Sequence, residues 1–278
     1  MPLPNTRPAS TTAPRRAARS LALAALSCLA ACAAERPAQT QPPAVEPPDL
    51  PAVRFTDQQT PLPNATVRFD ICLPAQSGPA PLVVIAHGFA RSKANMALWA
   101  EHFALQGYVA AALTMPAFAD HPRNARSIRE LTDWLARQSP FAHRIDAQRI
   151  AYVGFSAGGL ATLLAAADNP AILLWIGLDP VDRDGLAASA APSVHAVPVF
   201  IRAEPAPCNA HGNAAQIELA FAPRPQSTIV PRAVHTDAEW PTDPLAESFC
   251  GSSNDARRAI FVQIATDALK THLPVQQP

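Results

Sequence analysis

Apolar residues recur along the chain in two alternating rhythms. Thr66 to Cys72 (TVRFDIC) alternates polar with apolar, the period of a half-buried strand at the antiparallel start of a sheet. Leu82 to Ala86 is a continuous apolar run, as in a central parallel strand covered on both faces. Tyr108 to Leu113, Arg149 to Val153, Leu173 to Leu178, Val197 to Arg202 and Ser227 to Val230 read as further strands. Helical spacing separates them. Met96 to Gln106 is one helix, Ile128, Leu131, Thr132 and Leu135 mark a second, and Leu160, Leu163, Leu164 and Ala167 share a face of a third. Asn254 can cap a last helix whose buried face is Ile260, Phe261, Ile264, Ala268 and Leu269. Strands alternating with helices predict an α/β protein with a mostly parallel sheet flanked by helices. The sequence contains no internal repeat.

One pentapeptide stands where a strand passes into a helix: Gly154-Phe155-Ser156-Ala157-Gly158, a G-x-S-x-G pattern. With only 10 glycines in 278 residues, composition alone would place this pattern in roughly one or two such chains per hundred. The strand before it and the helix after it make it a nucleophile elbow. A sharp turn forces Ser156 into a strained backbone conformation, and side chains at 154 or 158 would collide with the neighbouring strand or helix.

Gly154 to Gly159 (GFSAGG), His87-Gly88-Phe89 and Leu178-Asp179-Pro180-Val181-Asp182 together resemble the α/β-hydrolase superfamily. Within it they are most similar to the chlorophyllase and dienelactone-hydrolase-like esterase branch, over roughly Thr66 to Leu273. A true dienelactone hydrolase carries Cys as nucleophile, where this chain has Ser156. The resemblance implies an α/β-hydrolase domain over 53–278. The short stretch from Arg183 to Ala196, where many relatives insert a lid, implies an open site.

Ser156 needs an imidazole to take its proton. Chain order in this fold is serine, acid, histidine, and His235 follows the last predicted strand; His211 and His272 are the other late histidines. A carboxylate must hold the imidazole in its tautomer. Asp179 directly follows a strand and matches the branch's Leu-Asp-Pro-Val run, while the superfamily more often places the acid after the next strand, where Glu204 stands. Asp182 is a third candidate, and Asp179 could instead be a turn-forming Asp before Pro180. Backbone N–H groups of Ala157 and Phe89 are the expected oxyanion donors. His87 is expected to brace its loop. Phe155, Phe89, Met115 and Trp240 could line an acyl or alcohol pocket or be ordinary core.

Composition then narrows the setting. With 49% hydrophobic residues the chain can build one large core, and its formal net charge is zero. The first 31 residues hold Arg7, Arg15, Arg16 and Arg19 and no acid, which leaves the remainder at −4. No basic patch forms, so nucleic acid is not an expected partner. The arginines precede an apolar stretch, Leu21 to Ala31, too short to span a bilayer comfortably. It ends in Leu29-Ala30-Ala31-Cys32, which resembles a bacterial lipobox. That implies a lipoprotein signal peptide over 1–31, lipidation of Cys32 and a cell-envelope location on the outer membrane facing the periplasm. An ordinary secretory signal cut nearby is the alternative. Residues 32–52, rich in Ala, Pro and Gln, read as a semi-extended tether. Export allows disulfides. Cys28 leaves with the signal. Cys208 and Cys250 lie on loops at the active-site end and are expected to pair, with Cys72 a buried thiol; three free thiols are the alternative. Asp237, Glu239 and Asp243 crowd the stretch after His235, but a solvated loop suits them better than calcium. No metal and no cofactor is expected.

The reading is a membrane-tethered, monomeric serine hydrolase acting on small-molecule or polymeric carboxylic esters. Polyester or cutin-type hydrolysis, phospholipid acyl hydrolysis and peptidase activity are alternatives. A non-catalytic surface lipoprotein that keeps the fold as a binding module is the rival from another class.

Overall fold

The computed structural model describes residues 52–275. The signal segment with Cys28, Cys32 and the tether up to residue 51 lie outside them. Eight strands and seven α-helices follow one another in the described residues: β1 (Val53–Pro61), β2 (Thr66–Leu73), β3 (Ala80–Ala86), α1 (Ala97–Leu105), β4 (Val109–Thr114), α2 (His121–Arg137), β5 (Ile145–Phe155), α3 (Ala157–Ala167), β6 (Ile172–Leu178), α4 (Leu186–Ala190), β7 (Val197–Arg202), α5 (Ala214–Ala220), β8 (Gln226–Ile229), α6 (Pro244–Cys250) and α7 (Asp255–His272). The strands form one sheet in the order β1-β2-β4-β3-β5-β6-β7-β8. β2 pairs antiparallel with β1 and β4, and every pairing from β4 to β8 is parallel. This is the α/β architecture that the alternation of periods predicts.

Strand pleat divides the core in two. Leu82, Val84 and Ala86 of β3 face one side, where they join Ala125, Ile128, Leu131 and Leu135 of α2 and Leu160 and Leu163 of α3. Val83 and Ile85 face the other, with Trp99 and Phe103 of α1 and Phe261, Ala265 and Leu269 of α7. A fully buried aliphatic or aromatic side chain of this kind contributes about 1.5–3 kcal/mol. Both faces must therefore be covered before the central strands are stable.

Asn254 caps α7, its side chain accepting from the Arg257 amide. The buried face of α7 differs from expectation by a partial rotation. Phe261, Ala268 and Leu269 are buried, but Ile260 and Ile264 are only partly so, and Val262 and Ala265 take the inner positions. Arg258 belongs to the same buried face: at the helix start its guanidinium donates to the Glu239 carbonyl (3.0 Å) and the Thr242 hydroxyl (2.6 Å).

Candidate active site

The site lies where β3, β5, β6 and β7 end. Ser156 steps off β5 with φ 53° and ψ −120°, the strained turn its glycine neighbours imply. A Cβ on Gly154 would stand 2.3 Å from the Gly158 carbonyl oxygen and 2.4 Å from the Thr162 hydroxyl. One on Gly158 would stand 2.4 Å from the carbonyl oxygens of Ala86 and His87 at the end of β3. The elbow thus packs α3 against two strands at distances only glycine permits. The Ser156 amide still donates to the Leu178 carbonyl of β6 (3.1 Å), so the strained residue is anchored to the sheet.

Asp179 leaves β6 in the same way. Its φ is 43°, and its amide donates to the Ile201 carbonyl of β7 at 2.7 Å. The carboxylate is 1% exposed and meets donors on every side. Oδ1 accepts from the Ala203 amide (3.0 Å), and Oδ2 accepts from the Asn209 side chain (3.1 Å) and from His235 Nδ1 (2.6 Å). His235 Nε2 in turn lies 2.9 Å from Ser156 Oγ. The three residues thus form one hydrogen-bonded chain, with the Phe155 ring stacked on the imidazole at a centroid distance of 4.7 Å. Glu204 is not part of it. Its Oε1 accepts from the Arg232 amide at 2.7 Å, on the exposed side of the β7 loop. Asp182 is taken up by α4, its two oxygens accepting from the amides of Ala187 (2.8 Å) and Ala188 (3.1 Å).

A cleft of about 200 Å3 opens over Ser156 and His235, lined also by Phe89, Arg91, Phe155 and Thr236, with Cys208 and Cys250 on its wall. Those two cysteines form a disulfide, and Cys72 is a buried free thiol pushed up to about 12 by burial. No residue of the 183–196 stretch lines the cleft. Phe89 is 49% exposed at the rim and packs against Phe118, tilted at a centroid distance of 4.4 Å, and Ala157 opens α3 directly after Ser156. Met115 and Trp240 lie elsewhere. Met115 packs on the α2–α3 core, and Trp240 packs edge-on to Trp99 at 6.1 Å. His87 holds the rim loop from below: the Met115 amide donates to Nε2 (3.0 Å), and Nδ1 donates to the Gly88 carbonyl (2.7 Å). Burial drives His87 down to about 4, so both bonds are made by a neutral ring.

The acidic stretch after His235 is not solvated, contrary to expectation. Asp237 and Glu239 are fully buried. Asp237 accepts from the Val234 amide (2.8 Å), the Asn254 amide (2.7 Å) and the Arg257 guanidinium (2.6 Å). It is thereby the residue that shapes the histidine loop. Glu239 pairs with Arg91 of the rim loop, and burial raises its carboxyl against the pull of that arginine. Asp243 caps α6 through the Leu245 amide (2.8 Å). Nothing in the sequence pattern marks the Arg91–Glu239 pair, because its members are 148 positions apart.

An eight-stranded, mostly parallel sheet with a serine elbow after β5 and a histidine after β8 defines the α/β-hydrolase class. The chain has the α/β-hydrolase fold. Residues 70–207 match a family model described as PET hydrolase-like. That segment holds Ser156 and Asp179 and ends before Cys208 and His235. The chain is similar to a bis(hydroxyethyl) terephthalate hydrolase of Streptomyces coelicolor, 33% identical over 103 residues that make up 37% of this chain and 33% of that protein. It is also similar to the cutinase est2 of Thermobifida alba, 29% identical over 113 residues, 40% of this chain and 38% of that one. The aligned part therefore spans only a third or so of these relatives' length. In fold, the chain is similar to the dienelactone hydrolase of Anabaena variabilis, with a TM-score of 0.60 and 22% identity over 82% of this chain and 100% of that one.

Proposed function

We propose that the protein is a serine hydrolase that cleaves carboxylic esters through an acyl-enzyme. The observation that carries this reading is the hydrogen-bonded chain from Ser156 Oγ to His235 (2.9 Å) to Asp179 (2.6 Å), open to a cleft. In the reaction, Ser156 Oγ attacks the ester carbonyl while His235 Nε2 takes its proton. The amides of Phe89 and Ala157 face the developing oxyanion. His235 returns the proton to the leaving alcohol, and a water repeats the sequence to release the acid. Asp179 keeps Nδ1 protonated and steadies the imidazolium. No step calls for a cofactor.

Polymeric esters are favoured as one substrate class by the apolar rim, where Phe118 is 72% exposed and packs against Phe89. The similarity to a terephthalate-ester hydrolase and to cutinases supports the same class. The function is tested on p-nitrophenyl esters of increasing acyl length and on bis(hydroxyethyl) terephthalate. Turnover of short-chain esters is the expected result, and inactivity on every ester would refute the reading. The envelope tether belongs to the same proposal. The mature N-terminus should carry a lipid mass on Cys32, and Cys32→Ser should free an active enzyme from membranes; a wholly soluble, unlipidated wild type would refute the tether alone.

A further inference from the structure

The hydrogen-bonded chain of Ser156, His235 and Asp179 does not account for one fully buried polar residue bonded to Asp179. Asn209 is 1% exposed and stands in the loop between β7 and α5. All four of its hydrogen-bonding positions are used. Oδ1 accepts from the amides of Ala206 (2.8 Å) and Gly212 (2.9 Å). Nδ2 donates to the Glu204 carbonyl (2.9 Å) and to the Asp179 carboxylate, 3.1 Å from Oδ2 and 3.4 Å from Oδ1. The orientation of the amide follows from this network. A flip would aim the NH2 group at two N–H donors and leave the Glu204 carbonyl facing an oxygen. The two backbone amides that grip Oδ1 therefore point Nδ2 at Asp179. The loop itself is tightly held. Ala210 and His211, just after Asn209, both have positive φ (50° and 56°), and Cys208, just before it, is bridged to Cys250 at the end of α6.

We propose that Asn209 is a positioning residue of the site, fixing the plane of the Asp179 carboxylate so that Oδ2 stays on His235 Nδ1. This rests on the reading of Asp179 as the acid. A carboxylate held by the Ala203 amide alone can swing about its terminal torsion, which is broad and two-fold. A second donor touching both oxygens removes that freedom. Asn209 does not line the cleft, so it has no contact through which to alter substrate binding. Its loss should therefore appear in kcat and not in KM.

Two variants test this. Asn209→Ala deletes the donor. Asn209→Asp keeps an oxygen for the Ala206 and Gly212 amides but sets a carboxylate where the NH2 was. Asn209→Ala should lose about ten- to a hundredfold in kcat, the range for a hydrogen bond to a charged group, with KM within about twofold. In Asn209→Asp the pH–rate profile should gain an ionisation that wild type lacks, because two buried carboxyls about 3 Å apart share one proton. The other charged groups around His235, Asp237 and Glu239 on its loop and Arg91 across the cleft, are unchanged. Asn209→Asp retains the loop's acceptor bonds, so it decides alone should Asn209→Ala fail to fold. A kcat within twofold of wild type in both folded variants, a loss confined to KM, or an Asn209→Asp pH–rate profile identical to that of wild type would overturn the proposal. An active Asp179→Asn control would show instead that the assignment of the acid is at fault.

Discussion

At the scale of single residues, two carboxylates stand after successive strands, and only their hydrogen bonds tell them apart. Asp179 reaches His235 at 2.6 Å, while Glu204 is occupied by the Arg232 amide. Asp179→Asn should therefore lose on the order of 10⁴-fold in kcat, as when a tautomer-fixing carboxylate is removed. Glu204→Gln should stay within about tenfold of wild type. Assay of both on one short-chain ester checks this, and the reverse ranking would move the acid to Glu204. Strand pattern leads to both candidates and cannot choose between them, because adjacent parallel strands end about 5 Å apart; only the resemblance of Leu178-Asp179-Pro180-Val181 to the branch favours Asp179. The positive φ with which Asp179 leaves its strand is a turn geometry with no sequence signature beyond the following proline. Asn209 was not legible either, since its role depends on backbone amides that converge only once the loop is closed.

At the scale of elements, legibility follows burial. β2 to β7 and the four long helices announce themselves through apolar periodicity, whereas β8 buries none of its residues and shows only through Ile229 and the buried Val230 after it. β1 does not: Thr60 is its only fully buried residue, so an edge strand of mostly polar side chains carries no pattern. The short helices α4, α5 and α6 bury few residues each and are silent for the same reason. The contact between α1 and α7 makes a pH-dependent prediction. His102 of α1 is buried and bonded to the Thr266 hydroxyl of α7 at 2.9 Å. Burial first, then the charge of Lys270, lowers it from 6.5 to about 4. Because the folded value lies below the unfolded one, the stability it contributes is present above pH 6.5 and is lost as pH falls through 4. That difference is worth on the order of 3 kcal/mol. His102→Gln should thus lose less stability than wild type in denaturant unfolding between pH 7 and pH 4.5. Comparing the two proteins cancels the other titrating groups, the raised Glu239 and the lowered His87 included. Parallel losses in both would show that His102 does not resist charging.

At the scale of the whole molecule, the sheet gathers residues from distant parts of the chain at one edge. The rim loop after β3, the elbow after β5, Asp179 after β6 and His235 after β8 all meet there. Buried polar contacts then lock the loops to one another. Arg91 joins the rim loop to the histidine loop through Glu239, and the indole of Trp99 on α1 donates to the Ala238 carbonyl at 3.0 Å. The disulfide joins the loop that supports the acid to the end of α6, where the Gly251 carbonyl receives the Thr236 hydroxyl at 2.6 Å, one residue past His235. In the proposed mechanism this assembly activates Ser156 as a nucleophile. The measurement that tests it most directly is covalent labelling by a fluorophosphonate, read by peptide mass, alongside ester turnover of wild type and Ser156→Ala. The account predicts a single adduct on the peptide holding Ser156, no adduct in the variant, and a kcat lower by roughly 10⁵- to 10⁶-fold in a protein that still folds. An adduct on another residue, or a variant that keeps a tenth of wild-type turnover, would contradict it.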